Sequence, residues 1–193
     1  MNTQNNPYIK ISAGIIAVAI VFLGYYLYSK NAPTLSFDTG VVVNWGIDIP
    51  SKYELDEHIN KNPLYTDSEN RFSFNYPKEF TAGNFRDDAG ATILFQKQGE
   101  KAGFQVRISY FDEPGKNITP ERIQSEVGDI VIISPVEVVY DEQVIGLAFT
   151  SQNESVGSTR EVWIARAGYL YQLSSYESDQ TLLKQVLSTW KFL

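Results

Sequence analysis

The stretch Phe72-Ser73-Phe74-Asn75-Tyr76-Pro77 sets three aromatic residues two apart, with polar residues between them and a proline as the stop. Side chains on a strand alternate between its two faces, so this spacing predicts a half-buried strand that Pro77 ends. The same period returns downstream. Thr92–Lys97 reads as a second strand, and Phe104, Val106, Ile108 and Tyr110 alternate with Gln105, Arg107 and Ser109 in a third. Further strands are expected at Val136–Tyr140, Gln143–Gln152, Ser158–Ala167 and Tyr169–Tyr176, with Asp141-Glu142, Asn153–Gly157 and Gly168 supplying the turns. Short turns between successive runs predict an antiparallel meander.

Two segments break that period. Thr119-Pro120 reads as an N-cap followed by proline at the first helical position, opening a short helix with Ile123 and Val127 inward and Gly128 at its end. Near the C-terminus Leu182, Leu183, Val186, Leu187 and Trp190 fall on one helical face, and Lys184, Gln185, Ser188 and Thr189 fall on the other, which predicts a solvated polar side. Ser178 or Asp179 is placed to cap it. Such a helix must cover a sheet, so the fold class is α+β.

Upstream, Asn31 to about Asp67 is punctuated by Pro33, Gly40, Gly46, Pro50 and Pro63, while Val41, Val42, Val43 and Trp45 suit a short strand. It reads as a stalk packed partly against the domain. Before it, Ile11 to Ser29 is a run of nineteen residues without a charge, between Lys10 and Lys30. As a helix at about 1.5 Å per residue it spans roughly 28 Å, the thickness of a bilayer core. Tyr25, Tyr26 and Tyr28 cluster at its far end, where rings favour the headgroup region. The run is longer than the core of a cleaved signal, and Pro33 would follow the one small-residue site at Ala32, so an uncleaved anchor is expected. With no cysteine in the chain, a lipid anchor on cysteine is excluded. Lys10 and the amino terminus against Lys30 give a weak positive-inside bias, which places the C-terminal domain outside the plasma membrane. Ala13 and Ala17 make a single small-residue step of the kind found where helices pair, one that also arises by chance.

The expected organisation is therefore a cytoplasmic tail over 1–10, a transmembrane anchor over 11–29, a stalk over 30–66 and an α+β domain over 67–193. Lys10 and Lys30 are the only charges before Asn31, so the remainder carries 14 basic against 23 acidic residues, a formal −9. An acidic domain without a basic stripe excludes nucleic acid as a partner. The absence of cysteine excludes a disulfide framework and leaves the compartment open.

Tyr65-Thr66-Asp67 ahead of the Phe72–Pro77 strand, then Gly168-Tyr169-Leu170-Tyr171-Gln172-Leu173, and finally Val186-Leu187-Ser188-Thr189-Trp190-Lys191-Phe192 occur in an order that resembles the PsbP-like family. That family includes the photosystem II extrinsic subunit PsbP, a Ran-binding nuclear protein and small bacterial envelope proteins of unknown role. The resemblance runs from Tyr65 to Leu193, and its motifs are structural. It implies an antiparallel sheet of six to seven strands covered by helices, no catalytic residues to carry over, and action mainly through bound partners. The photosystem role does not carry over, since no photosystem-binding motif is present and the anchor departs from that soluble subunit.

The chemistry is sparse. His58 is the only histidine, in an acidic, proline-flanked segment beside Asp56 and Glu57, where a solvated side chain is expected rather than a triad member. One histidine and no cysteine exclude an ordinary zinc site. There is no phosphate loop and no G-x-S-x-G elbow. Thr181-x-x-Lys184 has the spacing of a nucleophile–lysine dyad but sits on the closing helix. The pairs Asp67/Glu69, Asp87/Asp88, Asp112/Glu113 and Asp141/Glu142 belong to no calcium loop and read as turn chemistry, although two carboxylates facing one cleft would suit glycoside hydrolysis. Trp45, Phe111, Trp163 and Tyr176 fall out of phase with the assigned core and are expected beneath helices, or else in an exposed patch.

No catalytic, cofactor-binding or metal-binding residue is assigned. The expectation is a membrane-tethered binding or assembly module that is not an enzyme, holding the membrane through 11–29 and a protein partner at the envelope. The alternative is a carboxylate-dependent hydrolase or an enzyme processing a small ligand.

Overall fold

The computed structural model describes residues 42–43, 59–100, 102–128, 130–153 and 157–193. The expected anchor over 11–29, the Ala13/Ala17 step, Trp45 and His58 lie outside them. In chain order the strands are β1 (Val42–Val43), β2 (Leu64–Asp67), β3 (Phe72–Asn75), β4 (Phe80–Asp87), β5 (Gly90–Lys97) and β6 (Gly103–Tyr110). Helix α1 (Pro120–Val127) precedes β7 (Val131–Tyr140), β8 (Gln143–Asn153), β9 (Gly157–Arg166) and β10 (Tyr169–Tyr176); α2 (Gln180–Ser188) and β11 (Lys191–Phe192) close the chain.

Alternation dictates the large sheet. Val162, Leu173, Val106 and Ile93 are register partners across β9, β10, β6 and β5, and all four are buried on one face. The opposite face carries Trp163, Gln172, Arg107, Thr92 and Phe85 in the matching row. The result is an eight-stranded antiparallel sheet in the order β1-β7-β8-β9-β10-β6-β5-β4. A separate three-stranded sheet, β11-β3-β2, lies with α2 over the first face. The class is α+β as expected, but the single sheet of six to seven strands is in fact two sheets. The reason is β3. As the middle strand of its own sheet it buries Ser73 as well as Phe72 and Phe74, so its alternation does not mark a half-buried strand.

Aromatic packing joins the layers: Phe74 meets Phe95 at 5.3 Å between ring centroids and Phe72 meets Tyr171 at 5.6 Å. Within the layers Trp190 stacks on Phe72 at 4.7 Å and on Phe74 at 5.2 Å, while Phe95 stacks on Phe104 at 4.6 Å. Such pairs add to the energy of burial. The second face holds a smaller core in which Ile123 of α1 meets Leu147, Phe149 and Trp163. Thr119 caps α1 by accepting from the Arg122 amide at 3.2 Å, and Gly128 ends it at φ +83°, a left-handed geometry that costs glycine little.

Three further elements depart from expectation. β4 has an exposed, unpatterned sequence and was not anticipated. β7 begins at Val131 rather than Val136, because a register shift between Ile133 and Val136 accommodates Pro135 within the strand. The polar side of α2 is not solvated: Gln180, Thr181, Lys184 and Gln185 are buried along with the leucines. Helical period identifies the apolar face and is silent about what covers the other.

Candidate functional site

The hairpin β4–β5 and the exposed edge of the small sheet enclose a cleft of about 310 Å³. β2 and its turn form one wall through Tyr65, Asp67 and Glu69; Asn84, Phe85, Arg86 and Thr92 form the other. Two contacts bridge it. The Tyr65 hydroxyl donates to Asn84 Oδ1 at 3.1 Å, and Arg86 donates through Nη1 and Nη2 to the two Glu69 oxygens at 3.0 and 2.6 Å. The guanidinium bonded to Glu69 holds that carboxyl below its usual range, and burial is the main reason the Tyr65 phenol is raised. Phe85 borders the cleft through its backbone, and its ring is 61% exposed on the other face of β4. A forked cation bonded to a carboxylate whose pKa is lowered, with a phenol hydrogen-bonded across the same cleft, offers charge and hydrogen-bonding groups for recognition.

Glu161 is the exception. It lies buried on β9 and accepts from Thr159 Oγ1 and Ser174 Oγ, each at 2.8 Å, with Trp163 also bonded to it. Thr159 has one hydroxyl hydrogen and gives it to the carboxyl, so Ser151 must be the donor in the 2.7 Å contact between their oxygens. Burial pushes the Glu161 carboxyl up to about 7 against the lowering effect of these bonds. Its neighbour Arg160 points to the opposite face, donating from Nη1 to Thr150 Oγ1 at 2.7 Å. Burial brings that guanidinium down to about 10, opposed by Glu177. Glu161 lines no part of the cleft.

Of the acidic pairs expected to serve turns, Asp67, Asp87, Asp141 and Glu142 do so. Asp67 accepts from the Asn70 amide and side chain at 2.9 and 2.7 Å, and Asp87 accepts from the Ala89 amide at 2.9 Å. Glu113 pairs with Arg122 at 3.0 Å, and Asp141 and Glu142 form a hairpin turn at φ +48° and +61°. The structure does bring Asp67 and Glu69 to one cleft, but opposite Arg86 rather than opposite a second carboxyl of raised pKa. Thr181 and Lys184 are both buried on α2. Phe111 and Trp163 sit in the core under α1, as expected, whereas Tyr176 at the end of β10 is exposed. Among the described residues no three His, Cys, Asp or Glu side chains could hold a metal ion, and no helix is long and apolar enough to cross a membrane. Sequence reasoning missed Phe85, Arg86 and Glu161. A glutamate inside the expected strand Ser158–Ala167, next to Val162 and Trp163, was the available signal.

No protein-family profile matches the chain, and no curated protein matches it. Among solved structures the chain is similar to cyanobacterial PsbP (CyanoP) from Synechocystis sp. PCC 6803, with a TM-score of 0.53 and 15% identity over 68% of this chain and 92% of that one. A crystal structure from Bacteroides thetaiotaomicron VPI-5482 is similar over 68% of this chain and 48% of its own length, at 13% identity and a TM-score of 0.44. The likeness to CyanoP is one of fold: the chain has the PsbP-like fold that its motifs resemble.

Proposed function

We propose that this chain is a membrane-tethered, extracytoplasmic binding or assembly module that acts without catalysis. A single anchor at residues 11–29 leaves the N-terminus in the cytoplasm and the PsbP-like domain outside, where it holds a protein partner at the envelope. The observation that carries this reading is the cleft between β2 and β4. It presents the Glu69–Arg86 pair to solvent, with the Phe85 ring exposed on the other face of β4, while the core behind it is filled with stacked rings. A hydrolase would need two carboxyls of opposed tuning in one cleft, and Glu161, the carboxyl raised toward neutrality, lies apart from Asp67 and Glu69.

Chemical crosslinking of the full chain in its native membranes, with identification of the adducts, tests the reading. One reproducible envelope-protein adduct is expected. The result against it is no adduct, together with turnover of glycoside or ester substrates by the purified protein that Glu161→Gln abolishes.

A further inference from the structure

The outer edges of the two sheets are not alike. β1, β2 and β11 are two, four and two residues long. β4 runs for eight residues and ends the large sheet among the described residues. It pairs with β5 at every position from Phe80 to Asp87 without a bulge. From Thr81 to Phe85 it contains no charge and no proline. Natural edge strands are usually blunted by shortness, lysine, proline or a bulge, because a row of unpaired N–H and C=O groups templates another strand. β4 has none of these in its middle.

Its two faces are already settled. Asn84 and Arg86 turn toward the small sheet and are held by Tyr65 and Glu69. Thr81, Gly83 and Phe85 turn the other way, opposite Gln96, Leu94 and Thr92 of β5. Among the described residues the strand is thus fixed from within and unpaired along its outer side. Charge is uneven along it. At the turn end the carboxylates Asp67, Glu69, Asp87 and Asp88 outnumber the cations Arg71, Arg86 and Arg107; at the Phe80 end Lys78 and Lys97 are balanced by Glu79 and Glu100.

We propose that the edge of β4 receives an extended segment of the partner protein by strand addition, with a basic residue of that segment beside the Asp87-Asp88 turn. The inference rests on the binding reading above and assigns the surface and the chemistry of the ligand. Main-chain hydrogen bonds would supply the pairing, and Phe85 and the acidic turn its register. A second copy of this chain is the poorer occupant: it offers a balanced set of charges at one end of its own β4 and the same acidic excess at the other.

The test uses the full chain in its native membranes, carrying the photoreactive residue p-benzoylphenylalanine at Thr81, at Phe85, or at the exposed Tyr110 for contrast. Attachment points are mapped by mass spectrometry. Thr81 and Phe85 are expected to capture the same protein at points about four residues apart, with Lys or Arg near the Phe85-linked point. Asp87→Asn with Asp88→Asn is expected to lower the yield about tenfold. Attachment points without an ordered step, or adducts of two copies of this chain, would overturn the proposal. Capture from Tyr110 alone overturns it while leaving the binding reading in place. Absence of adducts from all three positions counts against both.

Discussion

The Tyr171 hydroxyl donates to the carbonyl oxygen of Asn70 at 2.7 Å, tying the middle of β10 to the turn between β2 and β3 across 101 residues. Asp67 sets that turn through two bonds to Asn70, and burial pushes the Tyr171 phenol up to about 12, so the hydroxyl stays a donor at neutral pH. Tyr171→Phe keeps the ring against Phe72 and Trp190 and leaves the Asn70 carbonyl without its partner. The expected cost is about 1–3 kcal/mol, read from urea unfolding of the purified chain. An unchanged midpoint would show that the two sheets hold together without this bond.

Glu161 gives the fold a pH dependence of definite sign. Its carboxyl titrates near 7 when folded against a usual value of 4.5, so the folded state holds the proton more tightly than the unfolded chain. The stability this adds is fully present below pH about 4.5 and is lost as pH rises through about 7. The loss is about 3 kcal/mol in size. Glu161→Gln retains an oxygen for Thr159 and Ser174 and never ionises. It should flatten the profile between pH 5 and 8 and exceed the parent in stability above pH 7. Parallel profiles for parent and variant would remove Glu161 as the source.

Strands whose two faces meet different surroundings could be read from the sequence. β10, with Leu173 toward α2 and Gln172 toward the other face, was legible to the residue at both ends. β4 was not. Apart from Phe80 it has little to bury, so no period of two survives in Thr81-Ala82-Gly83-Asn84-Phe85. That same lack hid the cleft, since three of its lining residues, Asn84, Phe85 and Arg86, come from this strand. Glu161 was hidden for the opposite reason. A charged residue within a strand usually marks a solvated face, and it is the hydroxyls of Thr159 on the same strand and of Ser174, brought by register, together with Trp163, that satisfy it when buried.

The closing helix has a testable weight. Leu187 is fully buried against the ring cluster of the first core. Leu187→Ala should cost about 2–5 kcal/mol in chemical denaturation, a range set by how far the cavity collapses. Lys78→Ala, on the exposed segment before β4, serves as the comparison and should stay within about 0.5 kcal/mol of the parent. Equal losses for the two would contradict the packing of α2.

The anchor proposal predicts a mass. Protein extracted from membranes should retain residues 11–29, because Pro33 follows the one plausible cleavage site. A mature N-terminus between Ser29 and Ser36 would refute it. In the same cells His58→Ala should complement a deletion fully; loss of function at normal abundance would point to chemistry in the segment before the domain.

β3 is completed by β11, whose Lys191 and Phe192 pair with Ser73 and Phe72 some 120 residues after β3 leaves the ribosome. At roughly 5–20 residues per second that interval is about 6–24 s. Throughout it Phe72 and Phe74 lack the Trp190 ring that stacks on both. The small sheet is therefore begun early and finished last, and the nascent chain carries an open aromatic surface until its final turn of synthesis. Whatever escorts it must hold that surface for seconds, which makes the timing of delivery, as much as the stability of the finished fold, a quantity this sequence has to satisfy.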